Sequence, residues 1–247
     1  MIFTMRFVRF FLLSLLLMAN WTGPVCAAET LTIASGAGYK RLVDQACTAF
    51  TAKTGIQVQR VFGNMGQVVA QVRESGNFDF ILGDKAHLES TGLAFSGEYV
   101  FGKGKLVAAV AKGSKITNLD QLTEVTDNRV AIADPKKAIY GHAATEYLKN
   151  KGIWEKMQPK LLVVGTVPQV SAYVLTSEVD VGFINLTEAM AIEKKVGLLL
   201  PMDENLYSPI LIVAKRLQQS PHSQAADAFL AFLQTDEARI LIKQNGL

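Results

Sequence analysis

The stretch IASGAGYKRLVDQA, residues 33–46, carries the first groups able to do chemistry. It runs from strand-forming residues through two glycines into a helical pattern. A turn of that kind brings backbone N–H groups to a helix start, where negative charge is favoured. It adds one hydroxyl, Ser35, and one positive charge, Lys40. Binding of a small anion is the chemistry these residues could do; the alternative is that Gly36 and Gly38 only permit a turn. Catalysis finds less support. His87, His142 and His222 lie in no nucleophile-elbow, zinc or phosphate-loop motif. No Ser/His/Asp constellation is legible, and no residues have a diagnostic metal-ligand spacing. The reading is therefore a binding protein, not an enzyme, with no cofactor.

The elements that must position the loop alternate regularly. TLTIAS reads as a strand, YKRLVDQACTAFTAKTG as an amphipathic helix stopped at Gly55, and IQVQRVFG as a second strand. MGQVVAQVRES reads as a helix and FDFILG as a short apolar strand. YVFGKGKLVAAVAKG adds one or two strands around a glycine turn. The alternation then restarts: NRVAIADP a strand, YGHAATEYLKNKGIWEKM a helix, PKLLVVG a strand, VPQVSAYVLTSE a helix, VDVGFIN a strand, TEAMAIEKKVG a helix. LLLPMDENLYSPILIVAK returns through strands, and SQAADAFLAFLQTDEARILIKQNGL closes helically. This order predicts an α/β protein of two lobes, each a mostly parallel sheet flanked by helices. Ligands of such sheets sit outside the C-terminal strand ends, here in a cleft between the lobes.

The first residues read as a targeting segment. Arg6 and Arg9 precede the apolar run FFLLSLLLMA, which is too short to span a bilayer. Small residues follow, so residues 1–28 are expected to be a signal peptide cleaved near Ala27 or Ala28. Cys26 offers a lipoprotein alternative, although Pro24 and Val25 make a poor lipobox. Removing the segment takes away Arg6 and Arg9 and lowers the formal net charge from +3 to +1. A near-neutral chain without basic clusters argues against nucleic-acid binding. Cys47 is then the one remaining cysteine, which leaves no intramolecular disulfide and suits a core position. The expectation is an exported, periplasmic monomer, with one lobe from 29–112 and 207–247 and the other from 113–206.

Several motifs resemble the periplasmic molybdate-binding proteins, the solute-binding components of ABC transporters with the type 2 periplasmic-binding fold. They are AFTAKTGIQVQRVFG followed by NMGQVVAQV, FDFILGDK, IADPKKAIYGHAATEYLKNKGIW, SEVDVGFINLTEA and the closing FLQTDEARILIKQNGL. The resemblance implies a cleft that closes on an oxyanion held by hydroxyls and backbone N–H groups. It also implies delivery of that ligand to a membrane permease. The implied ligand positions are Gly38 with Tyr39, Asn64 with Met65, a backbone contact near Tyr140, one near Val167, and Asn185. Gly38, Met65 and Asn185 stand where the family has hydroxyl-bearing residues, so the ligand's identity stays open. A molybdate- or tungstate-like oxyanion is the leading reading. A small organic acid or a metal ion, or presentation of the closed form to a membrane sensor, are the alternatives. Asp84 would repel an anion if it faced the cleft; the preferred reading is an N-cap for the following helix.

Overall fold

The computed structural model describes residues 30–125 and 127–247. The expected signal peptide, its cleavage site and Cys26 lie outside these residues. The described chain runs β1 (Thr30–Gly36), a 3-10 turn (Ala37–Tyr39), α1 (Lys40–Thr54), β2 (Gln57–Gly63), α2 (Met65–Ser75), β3 (Phe80–Asp84), α3 (Lys85–Ser90) and β4 (Phe95–Gly104). It continues with β5 (Leu106–Val110), α4 (Gln121–Glu124), β6 (Val130–Ala133), α5 (Ile139–Asn150), α6 (Trp154–Met157) and β7 (Leu161–Val164). The last part holds α7 (Val167–Leu175), β8 (Val181–Asn185), α8 (Leu186–Ile192), β9 (Leu198–Pro201), β10 (Ile210–Leu217), α9 (Ser223–Leu233) and α10 (Asp236–Gln244). Two readings change here. The single helix expected over 140–157 breaks at Gly152, which takes a left-handed φ of 74°. The closing helix divides at Gln234–Thr235, where the Thr235 side chain caps α10 through Ala238 N.

Two five-stranded sheets result, ordered β2-β1-β3-β10-β4 and β7-β6-β8-β5-β9. They share one plan. In each, three parallel strands are followed by an antiparallel strand and then an edge strand. The antiparallel strand of each sheet comes from the other half of the chain: β5 crosses into the second sheet and β10 returns to the first. The sequence reading placed residues 106–112 with the first lobe. Instead β5 pairs with β8 and β9, so the first crossing falls at Lys105. A strand of the composition LVAAV is buried at every position and gives no sign of which sheet it joins.

Apolar faces fill both lobes. Phe50 from α1 meets Phe229 and Phe232 from α9 at centroid distances of 5.1 and 5.6 Å, and Phe80 meets Phe229 at 5.2 Å. This aromatic cluster joins the first α/β units to the closing helices. Truncating Phe50 to Ala would cost about 3–5 kcal/mol. Cys47 lies in the same core, and burial raises its thiol pKa to about 12, so it stays protonated. Among the described residues no helix is long and apolar enough to cross a membrane.

Candidate functional site

The loop of residues 36–39 does end at a cavity. Its 3-10 turn feeds α1, and the cavity of about 30 Å³ beside it lies between the two sheets' loops. Gly38, Tyr39, Asn64 and Met65 line it from one side, and Tyr140 and Val167 from the other. Six of the seven expected positions therefore meet at one place. The two groups that first drew attention to the loop do not. Ser35 Oγ is buried and donates to Gly36 O at 3.2 Å. Lys40 turns outward, pairing with Asp44 at 2.5 Å and lying over the Phe62 ring.

Helix starts from both lobes converge on this cavity. The first-turn N–H groups of a helix have no intrahelical acceptor. At α2, Asn64 Oδ1 takes the Gln67 N–H at 2.9 Å, Gln67 Oε1 takes the Asn64 N–H at 3.0 Å, and Lys137 O takes the Gly66 N–H at 3.2 Å. That leaves Met65 N. At α7, Gln169 Oε1 takes the Thr166 N–H at 3.0 Å, Pro168 has no donor, and Val167 N is left. At α5, Ala138 O accepts from Gly141 N and His142 N, leaving Ile139 N and Tyr140 N. All four residues line the cavity. The starts of α2 and α7 follow one pattern, Asn-Met-Gly-Gln and Thr-Val-Pro-Gln, with a glutamine reaching back to the capping residue. That repeated signal was legible in the sequence, and it marks Thr166 as a site residue not anticipated there. Pro168 occupies the second helical position.

The side chains that replaced the expected hydroxyls do other work. Met65 is buried, and its thioether fills the space over Gly36 and Gly83, so it packs into the first lobe. Asn185 does not reach the cavity wall. Its Nδ2 donates to Gly38 O at 3.0 Å across the lobes, and its buried Oδ1 has no partner. A Cβ at Gly38 would stand 2.8 Å from that oxygen, so glycine at 38 and asparagine at 185 fit as a pair. Asn64 Nδ2 donates to Gly165 O at 3.1 Å, a further bond across the lobes. Beneath the cavity, the Tyr39 and Tyr140 hydroxyls are 2.5 Å apart and both rings are buried. They press on Gly104, the last residue before the crossing, where any Cβ would collide with Tyr140 Oη. Burial raises both tyrosine pKa values, and the paired hydroxyl raises that of Tyr39 further. The pair stays neutral and contributes a donor and an acceptor, not charge.

Asp84 behaves as the capping reading expected. Its Oδ2 accepts from His87 N at 3.0 Å, and its Oδ1 accepts from Leu211 N at 3.0 Å. His142 is largely exposed and sits 3.2 Å from Glu146. Among the described residues no group of three or more His, Cys, Asp or Glu side chains is placed to hold a metal ion. The site is therefore a small, uncharged chamber whose open valences are N–H donors.

Comparison with known proteins bears on this geometry. Residues 31–247 match the bacterial extracellular solute-binding protein family. The molybdate-binding protein ModA of Rhodobacter capsulatus is 31% identical over 228 residues, covering 90% of this chain and 89% of that protein. ModA of Azotobacter vinelandii is 29% identical over 250 residues, covering 96% and 98%. The solved periplasmic molybdate-binding protein of Azotobacter vinelandii superposes with a TM-score of 0.79 at 24% identity, over 87% of this chain and 97% of the other. The two-sheet fold with its cleft and the match over nearly all described residues agree: the chain belongs to the bacterial extracellular solute-binding proteins.

Proposed function

We propose that this protein is the periplasmic binding component of an ABC importer, capturing a molybdate- or tungstate-like oxyanion by lobe closure and passing it to a membrane permease. The observation that carries the proposal is the convergence of the unpaired N–H groups of Met65, Ile139, Tyr140 and Val167, from both lobes, on one cavity. Helix N-termini favour an anion through these donors and through the helix dipole. A ligand touching donors of both lobes stabilises the closed arrangement, because both sets are satisfied only there. The names of the relatives point to molybdate as the first ligand to try. Gly38, Tyr39, Asn64, Met65, Tyr140 and Val167 form the contact set. Asn185 acts through Gly38, holding the loop in place.

Selectivity is expected to differ from that of a site rich in hydroxyls. Each hydrogen bond to a charged ligand is worth about 1.5–3 kcal/mol, so a missing donor is felt strongly. Calorimetry on the mature protein against molybdate, tungstate, sulfate and phosphate tests the proposal. At least one should bind with one-to-one stoichiometry. Absence of heat from all four would overturn the oxyanion reading.

A further inference from the structure

Beside the small chamber lies a compartment of about 350 Å³, also between the lobes. Ala138 and Ile139 line both spaces, so the two adjoin. The chamber of about 30 Å³ has room for about two waters at 10–15 Å³ each, so the rest of any larger ligand would have to extend out of it. The larger compartment is not needed by an inorganic oxyanion.

Its lining mixes apolar side chains, among them Pro135, Ala138, Ile139, Ala143, Pro209 and Ile210, with Asp84, His87, Lys136, Lys137, His142 and Glu146. Both carboxylates accept hydrogen bonds, which orient them and leave their charge in place. Asp84 accepts from His87 N and Leu211 N. Glu146 accepts from Ser208 N at 2.8 Å, from Ser208 Oγ at 2.9 Å, and faces His142 Nε2 at 3.2 Å. The lysines are freer. Lys137 Nζ stands 3.9 Å from Asp134 and is 61% exposed, and Lys136 is exposed as well. The groups left for a ligand are the two lysine ammoniums and the second ring nitrogen of His142, which stand beside the charges of Asp84 and Glu146 and the apolar side chains.

We infer that the cleft also takes small organic acids: an oxyanion head in the N–H-lined chamber, and a short carbon body with a second anionic group in the adjoining compartment, against Lys136 and His142. This inference rests on the oxyanion reading of the chamber and extends it to a ligand class. The apolar side chains accept the carbon body, and a charge-assisted bond from Lys136 holds the second anion.

Calorimetry and competition with phosphoglycolate, inorganic phosphate and molybdate test it on the mature protein. Phosphoglycolate should bind about tenfold or more tighter than inorganic phosphate, the worth of one charge-assisted bond. Lys136→Ala and, separately, His142→Ala should remove most of that advantage while leaving molybdate affinity within about twofold. Both positions are exposed helix-start or turn residues, so folding is expected to survive. Molybdate binding with no advantage for phosphoglycolate would overturn the compartment and leave the oxyanion reading standing. Equal weakening of molybdate and phosphoglycolate by Lys136→Ala would overturn it too, by reducing the lysine to a general field. No binding of any of the three would overturn this inference, and the oxyanion reading with it only if tungstate and sulfate also fail to bind.

Discussion

At the residue scale, the tyrosine pair and the Gly38–Asn185 pair distinguish this cleft. Tyr39 and Tyr140 each satisfy the other's buried hydroxyl. Changing one to Phe strands its partner and should cost about 1–3 kcal/mol. Changing both should cost less than the sum, and a double-mutant cycle read by thermal unfolding checks this coupling. Their raised pKa values also set a pH dependence. The folded state holds its tyrosine protons more tightly than the unfolded chain. This contribution is complete below the unfolded value of about 10 and is lost as pH rises above it. Unfolding midpoints should therefore fall above about pH 10, and less so in the double Phe variant. Gly38→Ser should drive Asn185 off Gly38 O. With one interlobe bond lost, ligand affinity should drop about three- to tenfold by calorimetry, a net loss of about 0.5–1.5 kcal/mol.

At the element scale, the start of α2 performs two tasks with one side chain. Asn64 Oδ1 caps the helix while Nδ2 reaches Gly165 O in the other lobe. Asn64→Asp separates these tasks. The carboxylate keeps the cap and suits the helix dipole but sets an oxygen against Gly165 O, so thermal stability should fall less than in Asn64→Ala. The same charge would stand at the wall of the proposed anion chamber and cannot donate to Gly165 O, so oxyanion affinity should fall by about tenfold or more. Asn64→Ala should weaken both, with about 1 kcal/mol lost from the cap. Parallel melting and calorimetry on the two variants would expose any failure of this division. An Asp variant that bound as well as the native protein would show that Met65 N and its neighbours do not face an anion.

For the whole molecule, the arrangement described is a closed one. Tyr39–Tyr140, Asn64–Gly165, Asn185–Gly38 and Gly66–Lys137 link the lobes around the chamber, and Thr187 Oγ1 donates to Asn245 O at 2.8 Å on another side. Under the proposed closure on a ligand these bonds would act in the same direction as the ligand, so part of the closing free energy would belong to the protein itself. The two crossings, at Lys105 and over Met202–Pro209, meet: Leu106 N donates to Tyr207 Oη at 3.1 Å. Small-angle scattering should show the radius of gyration shrinking when a binding oxyanion is added. A variant carrying Tyr39→Phe with Asn185→Ala should be more open without ligand and should shrink more on binding. Equal radii in all four states would count against ligand-linked closure.

The alternation of strand and helix patterns, the restart at NRVAIADP and the stop at Gly55 were enough to determine an α/β protein of two similar halves, because local periodicity and capping act over a few residues. The resemblance carried by NMGQVVAQV and IADPKKAIYGHAATEYLKNKGIW further pointed to Gly38, Tyr39, Asn64, Met65, Tyr140 and Val167, which the fold gathers at one cavity. Sheet membership of LVAAV, and with it the true crossing at Lys105, was decided by partners 70 or more residues away, which no local signal encodes. The same holds for side-chain direction. Met65 turns into the core because Gly83 leaves space for its thioether, and Asn185 turns to Gly38 O because the missing Cβ admits it. Tyr39 and Tyr140 meet across 101 positions of sequence. Each residue alone was consistent with a ligand contact; only packing between the lobes decided which of them spend their hydrogen bonds on the protein and which N–H groups remain open to an anion.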